Sequence, residues 1–462
     1  MTVVVPEMNR TSLVEKDPPD TPSASRHPRG QHRLLMISSA FPPIGGPGVQ
    51  RSAKFAKYLP QFGWLPVVWC ADHDPHLPRD ESLLADLPHD LQVHRPERRV
   101  ARRSTNGAAV QGWRGGFDWR VRRYRDGLFK RMIPDHMIGW AWRSRRPACR
   151  LIARERIDAV YSTFSPASNH VLGWMLHRAT GLPWIADFRD LWTDDYCYPD
   201  HGPIRRRLER RIEQGILENA SAVIGVSEAQ TEILRRRVPH QPDKFVTITN
   251  GVDVSDFQAI DRPAAQAALH GPKDRFVLAF TGWFLTDRVT AGLIEGLGRF
   301  ARWVASLTGD FELRIVGAIG PNMVRQLNAA GIRVTTTGYL PHDQAIRQMV
   351  AADVLLLLAP TGRNGATLIP GKAFEYLAAR RPILFVGPDG EAARLIRDCR
   401  AGVTIAPDAD PVHASLMAWW QMWQRGDLVE GCPAHLLEHY SRESLAGKLA
   451  DLLNRVHAAA QL

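Results

Sequence analysis

Lys372 and Glu375 lie three residues apart in the run Ile369-Pro370-Gly371-Lys372-Ala373-Phe374-Glu375-Tyr376-Leu377. Pro370 and Gly371 suit the opening of a helix, and Phe374 and Leu377 share its apolar face. The following Ile383-Leu384-Phe385-Val386 reads as a buried parallel strand. The first turn of such a helix offers unpaired N–H groups and the positive end of the helix dipole, so a phosphate can rest there with few side chains. Lys372 adds a cation. Glu375, one turn further in, would repel a phosphate, and its task is to accept bonds from the hydroxyls of a sugar or ribose.

Two other stretches carry chemistry. Asp187-Phe188-Arg189-Asp190-Leu191-Trp192 follows an apolar run; its two carboxylates flanking an arginine either orient a sugar or attacking hydroxyl, or form an internal salt bridge that fixes the loop. Phe41-Pro42-Pro43-Ile44-Gly45-Gly46-Pro47-Gly48 is a glycine turn between a strand and a helix. Either backbone approaches a diphosphate there, or the turn needs glycine for positive φ. Its spacing is not that of a dinucleotide fingerprint. His170, four residues after Pro166 on a predicted helix, reads as a packed histidine before a base.

The elements that position these residues form two alternations. Residues 1–31 are polar and Pro-rich and are expected to be disordered. Strands are expected at Leu34–Ser39, Val67–Cys70, Ala159–Ser162, Trp184–Asp187 and Ala222–Val226, with helical patterns between them, the first running through Phe55, Leu59 and Phe62. Asn250-Gly251-Val252-Asp253 closes this half, and an Ala/Pro/Gln-rich stretch to about Asp274 connects to the next. A second series follows at Phe276–Gly282, Leu313–Gly317, Val334–Gly338, Val354–Leu358 and Ile383–Val386. The chain closes with a helix from Ser441 to about Val456, with Leu445, Leu449, Leu452 and Leu453 on its apolar face. Short apolar strands alternating with helices indicate α/β doubly wound parallel sheets, whose ligands bind at the carboxyl ends of the strands.

The 462 residues, 44% of them apolar, suffice for two cores. The expected organisation is a tail over 1–31, a first domain over 32–260 with an Arg/Trp-rich insertion over 95–150, a second domain over 261–438 and a closing helix over 439–462. Five cysteines without close spacing argue against a disulfide framework or zinc site. Met1–Val5 is too short an apolar patch for a signal peptide, and no apolar run approaches the roughly 18 to 20 residues of a bilayer span, so a cytoplasmic location is expected.

The net charge of +11 is local. Arg95 to Arg150 holds fifteen Arg and one Lys against Glu97, Asp118, Asp126 and Asp135, a balance of 15 + 1 − 4 = +12, which leaves the remainder near neutral. Interleaved with Trp113, Trp119, Trp140 and Trp142, this patch suits an anionic membrane surface, or a solvated basic loop. It lies outside any recognisable nucleic-acid module, and no nucleic-acid partner is expected.

The glycine loop, the Asn-Gly-Val-Asp hinge and the Pro-Gly-Lys-x-x-Glu-Tyr-Leu block together resemble the GT-B glycosyltransferases of family 4, over about Arg33 to Leu453. Ile133-Pro134-Asp135, Gly139-Trp140 and the Asp187–Trp192 block are similar to a bacterial branch acting in cell-surface polysaccharide or glycolipid assembly. The resemblance implies two Rossmann-like domains facing a cleft, the last helix crossing back to the first. It implies retaining, metal-independent transfer from a nucleotide-diphosphate sugar, with no cofactor beyond that donor, to a glycan or polyprenyl-linked acceptor at the inner face of the plasma membrane. It assigns Glu375 to the ribose, Gly371 and Lys372 to the diphosphate, and Gly338, Tyr339 and Leu340 to the base. Gly45, Gly46 and Gly48 would approach the diphosphate from the opposite domain, Gly282 ends the second domain's first strand, and Arg288 offsets phosphate charge. Arg189, Asp190, Arg288 and Lys372 are the expected catalytic group. Three places depart from the family: Thr367 stands where a first acid precedes Glu375, Trp283 where an arginine is usual, and Arg189-Asp190 where many relatives end a strand with a histidine facing the sugar. A nucleotide-sugar epimerase or hydrolase, or a non-catalytic nucleotide-sugar-binding subunit, are the alternatives.

Overall fold

The computed structural model describes residues 31–45, 47–72, 79–96, 132–195, 197–199, 201–270, 275–284, 288–362, 364–427 and 430–461. Residues 1–30 of the tail, Gly46 and most of the Arg/Trp-rich insertion, Trp113 and Trp119 included, lie outside them.

Among the described residues thirteen strands form two sheets. The first contains β1 (His32–Ile37), β2 (Trp64–Trp69), β3 (Gln92–His94), β4 (Ala159–Phe164), β5 (Trp184–Phe188), β6 (Ala222–Gly225) and β7 (Phe245–Thr247), ordered 3-2-1-4-5-6-7. The second contains β8 (Phe276–Phe284), β9 (Phe311–Ile319), β10 (Val334–Thr336), β11 (Val354–Leu358), β12 (Ile383–Val386) and β13 (Gly402–Ile405), ordered 10-9-8-11-12-13. Every pairing between these strands is parallel. The order reverses beside β1 and beside β8, where the crevices of such sheets open.

The helices that shape the cleft are α1 (Pro47–Tyr58), α2 (Ile138–Glu155), α3 (Ser168–Thr180), α4 (Pro203–Asn219), α5 (His342–Ala351), α6 (Lys372–Ala379) and α7 (Arg442–Ala459). Successive side chains of a strand point to opposite faces, and β1 shows it. Leu35 and Ile37 pack with Leu151, Leu172 and Ile216 of α2, α3 and α4, while Leu34 and Met36 pack with Phe55 of α1 and Leu449 of α7. Both faces are covered, so the strand reads as a continuous apolar run.

The pattern expected through Phe62 divides in the structure. Helix α1 ends at Tyr58, a short 3₁₀ turn spans Leu59–Phe62, and Phe62 stays 39% exposed. Pro60 in that turn lacks the N–H an α-helical ladder needs. Trp140, read with the basic patch, is a core residue at 6% exposure, whereas Trp142 is 61% exposed.

Helix α7 crosses back to the first sheet. Ser441 caps it by accepting from the Ser444 N–H at 3.1 Å, and Leu445, Leu449, Leu452 and Leu453 are buried in the first sheet's core. Burying each is worth roughly 2 kcal/mol. The two crossings run side by side: the Val252 N–H donates to the Tyr440 carbonyl at 3.0 Å and the Arg442 N–H to the Val252 carbonyl at 2.9 Å.

Candidate active site

The carboxyl ends of the two sheets face a cavity of about 1050 Å³. Gly48, Arg51, Arg189, Asp190, Tyr198 and Asn250 line it from the first sheet's side, and Gly282, Trp283, Arg288, Gly338, Tyr339, Leu340, His342, Gly371, Lys372 and Glu375 from the second, with Arg442 at its floor. Of the expected site residues, Gly45 is not brought to this wall. It is buried beside Ile44, which bridges to Arg79 and packs on Val49 and Leu83, so the turn folds inward.

The second-sheet wall is built from short local pieces. Gly317, two residues before the end of β9, pairs with Gly282 on β8, and a Cβ at Gly317 would overlap the Gly282 carbonyl, so only glycine lets the strands close up there. Lys372 opens α6 and donates to the Thr281 carbonyl at 2.5 Å, with its ammonium 3.4 Å from the centroid of the Phe280 ring. No carboxylate lies within ion-pair distance of it among the described residues, and burial, with the neighbouring Arg288 charge, holds its pKa well below the usual lysine range. The face of Phe280 offsets part of that cost, as an aromatic ring attracts a cation.

Glu375 is also without an ion pair among the described residues. Burial pushes its carboxyl up, and His342, Arg442 and Lys372 oppose the shift. His342 reaches Asp256 at 3.4 Å; burial disfavours its charge, but Asp256 and Glu375 outweigh this and raise its pKa. Arg442 is 6% exposed, and burial with the Arg51 charge lowers it to about 10. This wall is a cluster of cations around one half-buried acid, suited to a ligand with phosphates at one end and hydroxyls at the other.

The first-sheet wall is tied together more tightly. Arg51 donates to Asp187 at 2.7 and 3.0 Å and to the carbonyls of Ile248 and Thr249 at 2.9 and 2.7 Å. Tyr161 donates to the same carboxylate. Asp187 therefore forms the internal salt bridge, with Arg51 rather than Arg189. Arg189 turns to the carbonyls of Phe164 and Ser165. A Cβ at Gly48 would overlap its guanidinium, so the close approach needs glycine there. Asp190 stays open to the cleft; burial pushes its carboxyl up against the pull of Arg189. His170 is fully buried, bonded through Nδ1 to Ser162 at 2.8 Å, and burial lowers its pKa to about 3, which makes it a neutral packed group.

Thr367 does not line the cleft. Its hydroxyl donates to the Asn364 carbonyl at 2.8 Å within a 3₁₀ turn, and its carbonyl accepts from Ser227 at 2.8 Å. With Asn364 donating to the Asp194 carbonyl at 2.6 Å, this turn joins the two walls.

Sequence reasoning missed Arg51, His342 and Arg442. A signal existed for two of them. Arg51, Phe55 and Leu59 recur at helical spacing, as do Arg442, Leu445 and Leu449, which puts an arginine on each apolar stripe where only a buried role explains it.

Two parallel sheets in this order, facing one cleft lined with cations, form the GT-B architecture. The profile of Glycosyltransferase Family 4 matches residues 48–256. The chain is 25% identical over 266 residues, 55% of its length, to a 2-deoxystreptamine N-acetyl-D-glucosaminyltransferase of Streptomyces fradiae. It spans 56 to 64% of the length of the curated relatives it matches. Among solved structures, sucrose-phosphate synthase from Thermosynechococcus elongatus matches with a TM-score of 0.64 at 17% identity, covering 93% of this chain and 100% of that one. The Anabaena protein HepE in complex with UDP-glucose matches with a TM-score of 0.61 at 15% identity, covering 92% and 99%. Over residues 48–256 the chain is similar to the family 4 glycosyltransferases.

Proposed function

We propose that this chain transfers a sugar, with retention, from a nucleotide-diphosphate sugar to a glycan or polyprenyl-linked acceptor, without a metal. The observation that carries this reading is Lys372, a desolvated amine beside Arg288 at the mouth of α6 with no carboxylate to answer it among the described residues. Desolvation makes its charge costly and lowers its pKa, and an anion bound beside it restores the balance. A diphosphate does so. Lys372, Arg288 and the first N–H groups of α6 then offset the charge that grows as the nucleoside diphosphate leaves. Glu375 accepts from the ribose hydroxyls and so places the sugar, while Tyr339 and Leu340 flank the base and Trp283 the sugar end. Closure of the two walls excludes water that would hydrolyse the donor. Arg189 and Asp190 face the donor from the acceptor side, where Asp190 orients the attacking hydroxyl.

The solved HepE complex supports a uridine donor as the first to test, and the Streptomyces relative's name adds a soluble aminocyclitol to the acceptors worth testing. The location proposed is peripheral, on the cytoplasmic face of the membrane; among the described residues no helix is long and apolar enough to cross one. Thermal-shift measurements with UDP-, GDP-, ADP- and dTDP-sugars test the donor. One base class raises Tm by mass action, and Lys372→Ala removes the shift. No shift with any of them overturns the reading. Turnover in excess chelator is unchanged.

A further inference from the structure

Helix α4 turns two apolar side chains outward near its start, while Ile216 and Leu217 further along enter the core. Ile204 is 78% and Leu208 40% exposed. With Arg207 and Arg211 they recur at i, i+3, i+4 and i+7, which is one continuous stripe on the solvent side. Its inward side holds two glutamates at 1% exposure each. Glu209 accepts from Arg205 at 2.7 Å and from the Tyr198 hydroxyl at 2.5 Å. Glu213 accepts from Thr193 and Arg237. The buried acids are thus fully engaged in fixing the 193–198 loop, and none reaches the outer face.

That outer face is strongly cationic. Arg206, Arg207, Arg210, Arg211 and Arg237 surround a surface hollow of about 710 Å³. Arg210 and Arg237 are answered by Asp194 and Glu213. Arg206 lies 5.4 Å over the Tyr198 ring with its Nε buried and unbonded. Arg207 and Arg211 meet no carboxylate among the described residues. Crowded like charges beside exposed aliphatics are unfavourable in water, and both are relieved by a surface that is anionic and apolar a few ångströms beneath.

We propose that the outer face of α4 docks on an anionic phospholipid bilayer, with Ile204 and Leu208 entering the acyl boundary and the arginines on the headgroup phosphates. A nucleic-acid duplex would satisfy the arginines and leave the aliphatics in water. Arg205 also donates to the Pro134 carbonyl at 3.1 Å, which brings Met132, 43% exposed, to the same flank. Because the inward side of α4 holds Thr193 and Tyr198, the loop that follows Arg189 and Asp190, docking would place the acceptor side of the cleft against the membrane. This rests on the reading that the acceptor is lipid-linked.

The test is co-sedimentation of the full chain with vesicles of equal parts phosphatidylglycerol and phosphatidylcholine, against phosphatidylcholine alone, at low and high salt. The wild type binds the anionic vesicles at low salt, and Arg207→Glu with Arg211→Glu lowers the partition at least roughly tenfold. Ile204→Ser with Leu208→Ser removes the binding that survives high salt. Hydrogen exchange on the wild type, with anionic vesicles added, shows protection over 203–212. Three results overturn the proposal: no vesicle binding at low salt, protection confined to 97–131, or binding to duplex DNA that vesicles do not compete. Nucleotide-sugar binding measured on the same samples separates the two readings, since its absence strikes the transferase assignment and leaves the vesicle result standing.

Discussion

On the wall formed by the first sheet, Arg51 and Asp187 answer each other inside the core; on the facing wall, Lys372 stands over an aromatic ring with no carboxylate in reach among the described residues. Both walls come from the same alternation of strands and helices, and both bring charged groups to strand ends. The difference is whether the charge is closed within the protein or left for a ligand. A closed pair holds shape and is costly to break from one side only, whereas an open cation lowers stability and gains it back on binding.

The sharpest way to test this contrast is to remove one partner of the closed pair. Asp187→Ala leaves Arg51 buried and unanswered, and is expected to lower the unfolding free energy by about 3–5 kcal/mol in denaturant titrations, with donor affinity retained while the chain is folded. Lys372→Ala should do the reverse. Donor kcat/KM falls about 10²–10³-fold, roughly 3–4 kcal/mol, with Tm unchanged or raised, and Lys372→Met raises it further.

The open wall also carries a pH signature. Because the pKa of Lys372 is lowered, a diphosphate binds with proton uptake, so donor affinity falls as pH rises through that lowered value. Stability moves oppositely, rising with pH between the lowered value and the usual 10.5, where the unfolded chain binds the extra proton. Calorimetry in buffers of different ionisation enthalpy detects the uptake, and Lys372→Arg abolishes it. Glu375→Gln is expected to raise donor KM about tenfold, a charged hydrogen bond's worth, and a 2′-deoxyribose donor should lose that factor in the wild type and nothing further in the variant.

His170 gives the smallest effect and belongs to the closed wall. Its pKa falls to about 3 in the fold from 6.5, so stability is lost as pH drops below 6.5, by about 1.4 kcal/mol per unit for one proton. Urea midpoints at pH 7 and 5.5 check the slope, and His170→Gln flattens it.

The same contrast explains what could be read from the sequence. The central strands were legible because burial on both faces makes each an unbroken apolar run, as in Val354–Leu358. Three of the four edge strands, β3, β7 and β13, were not, since each has three or four residues and Gly402 and Gln92 carry no strand preference; the fourth, β10, showed through its β-branched Val334-Thr335-Thr336. On the open wall the chemistry is contiguous, from Pro370 to Glu375, so a short motif displays it. The closed wall is assembled from partners far apart in sequence: Arg51 with Asp187 and Thr249, Arg442 beside Glu375. No local pattern shows such a pairing, apart from an arginine placed on an apolar stripe. The glycine loop shows the converse error, for Gly45 has the residue type expected of a phosphate approach and is folded inward instead.

The return of α7 to the first sheet makes that domain's chain discontinuous, with the second domain set inside it. Leu445, Leu449, Leu452 and Leu453 complete a core begun at Leu34. During synthesis the face of the first sheet that α1 covers only in part therefore waits for residues 442–459, which follow every strand of the second sheet. A truncation within that helix would fall on the core of the first sheet, far away in sequence, and not on the domain beside it in the chain.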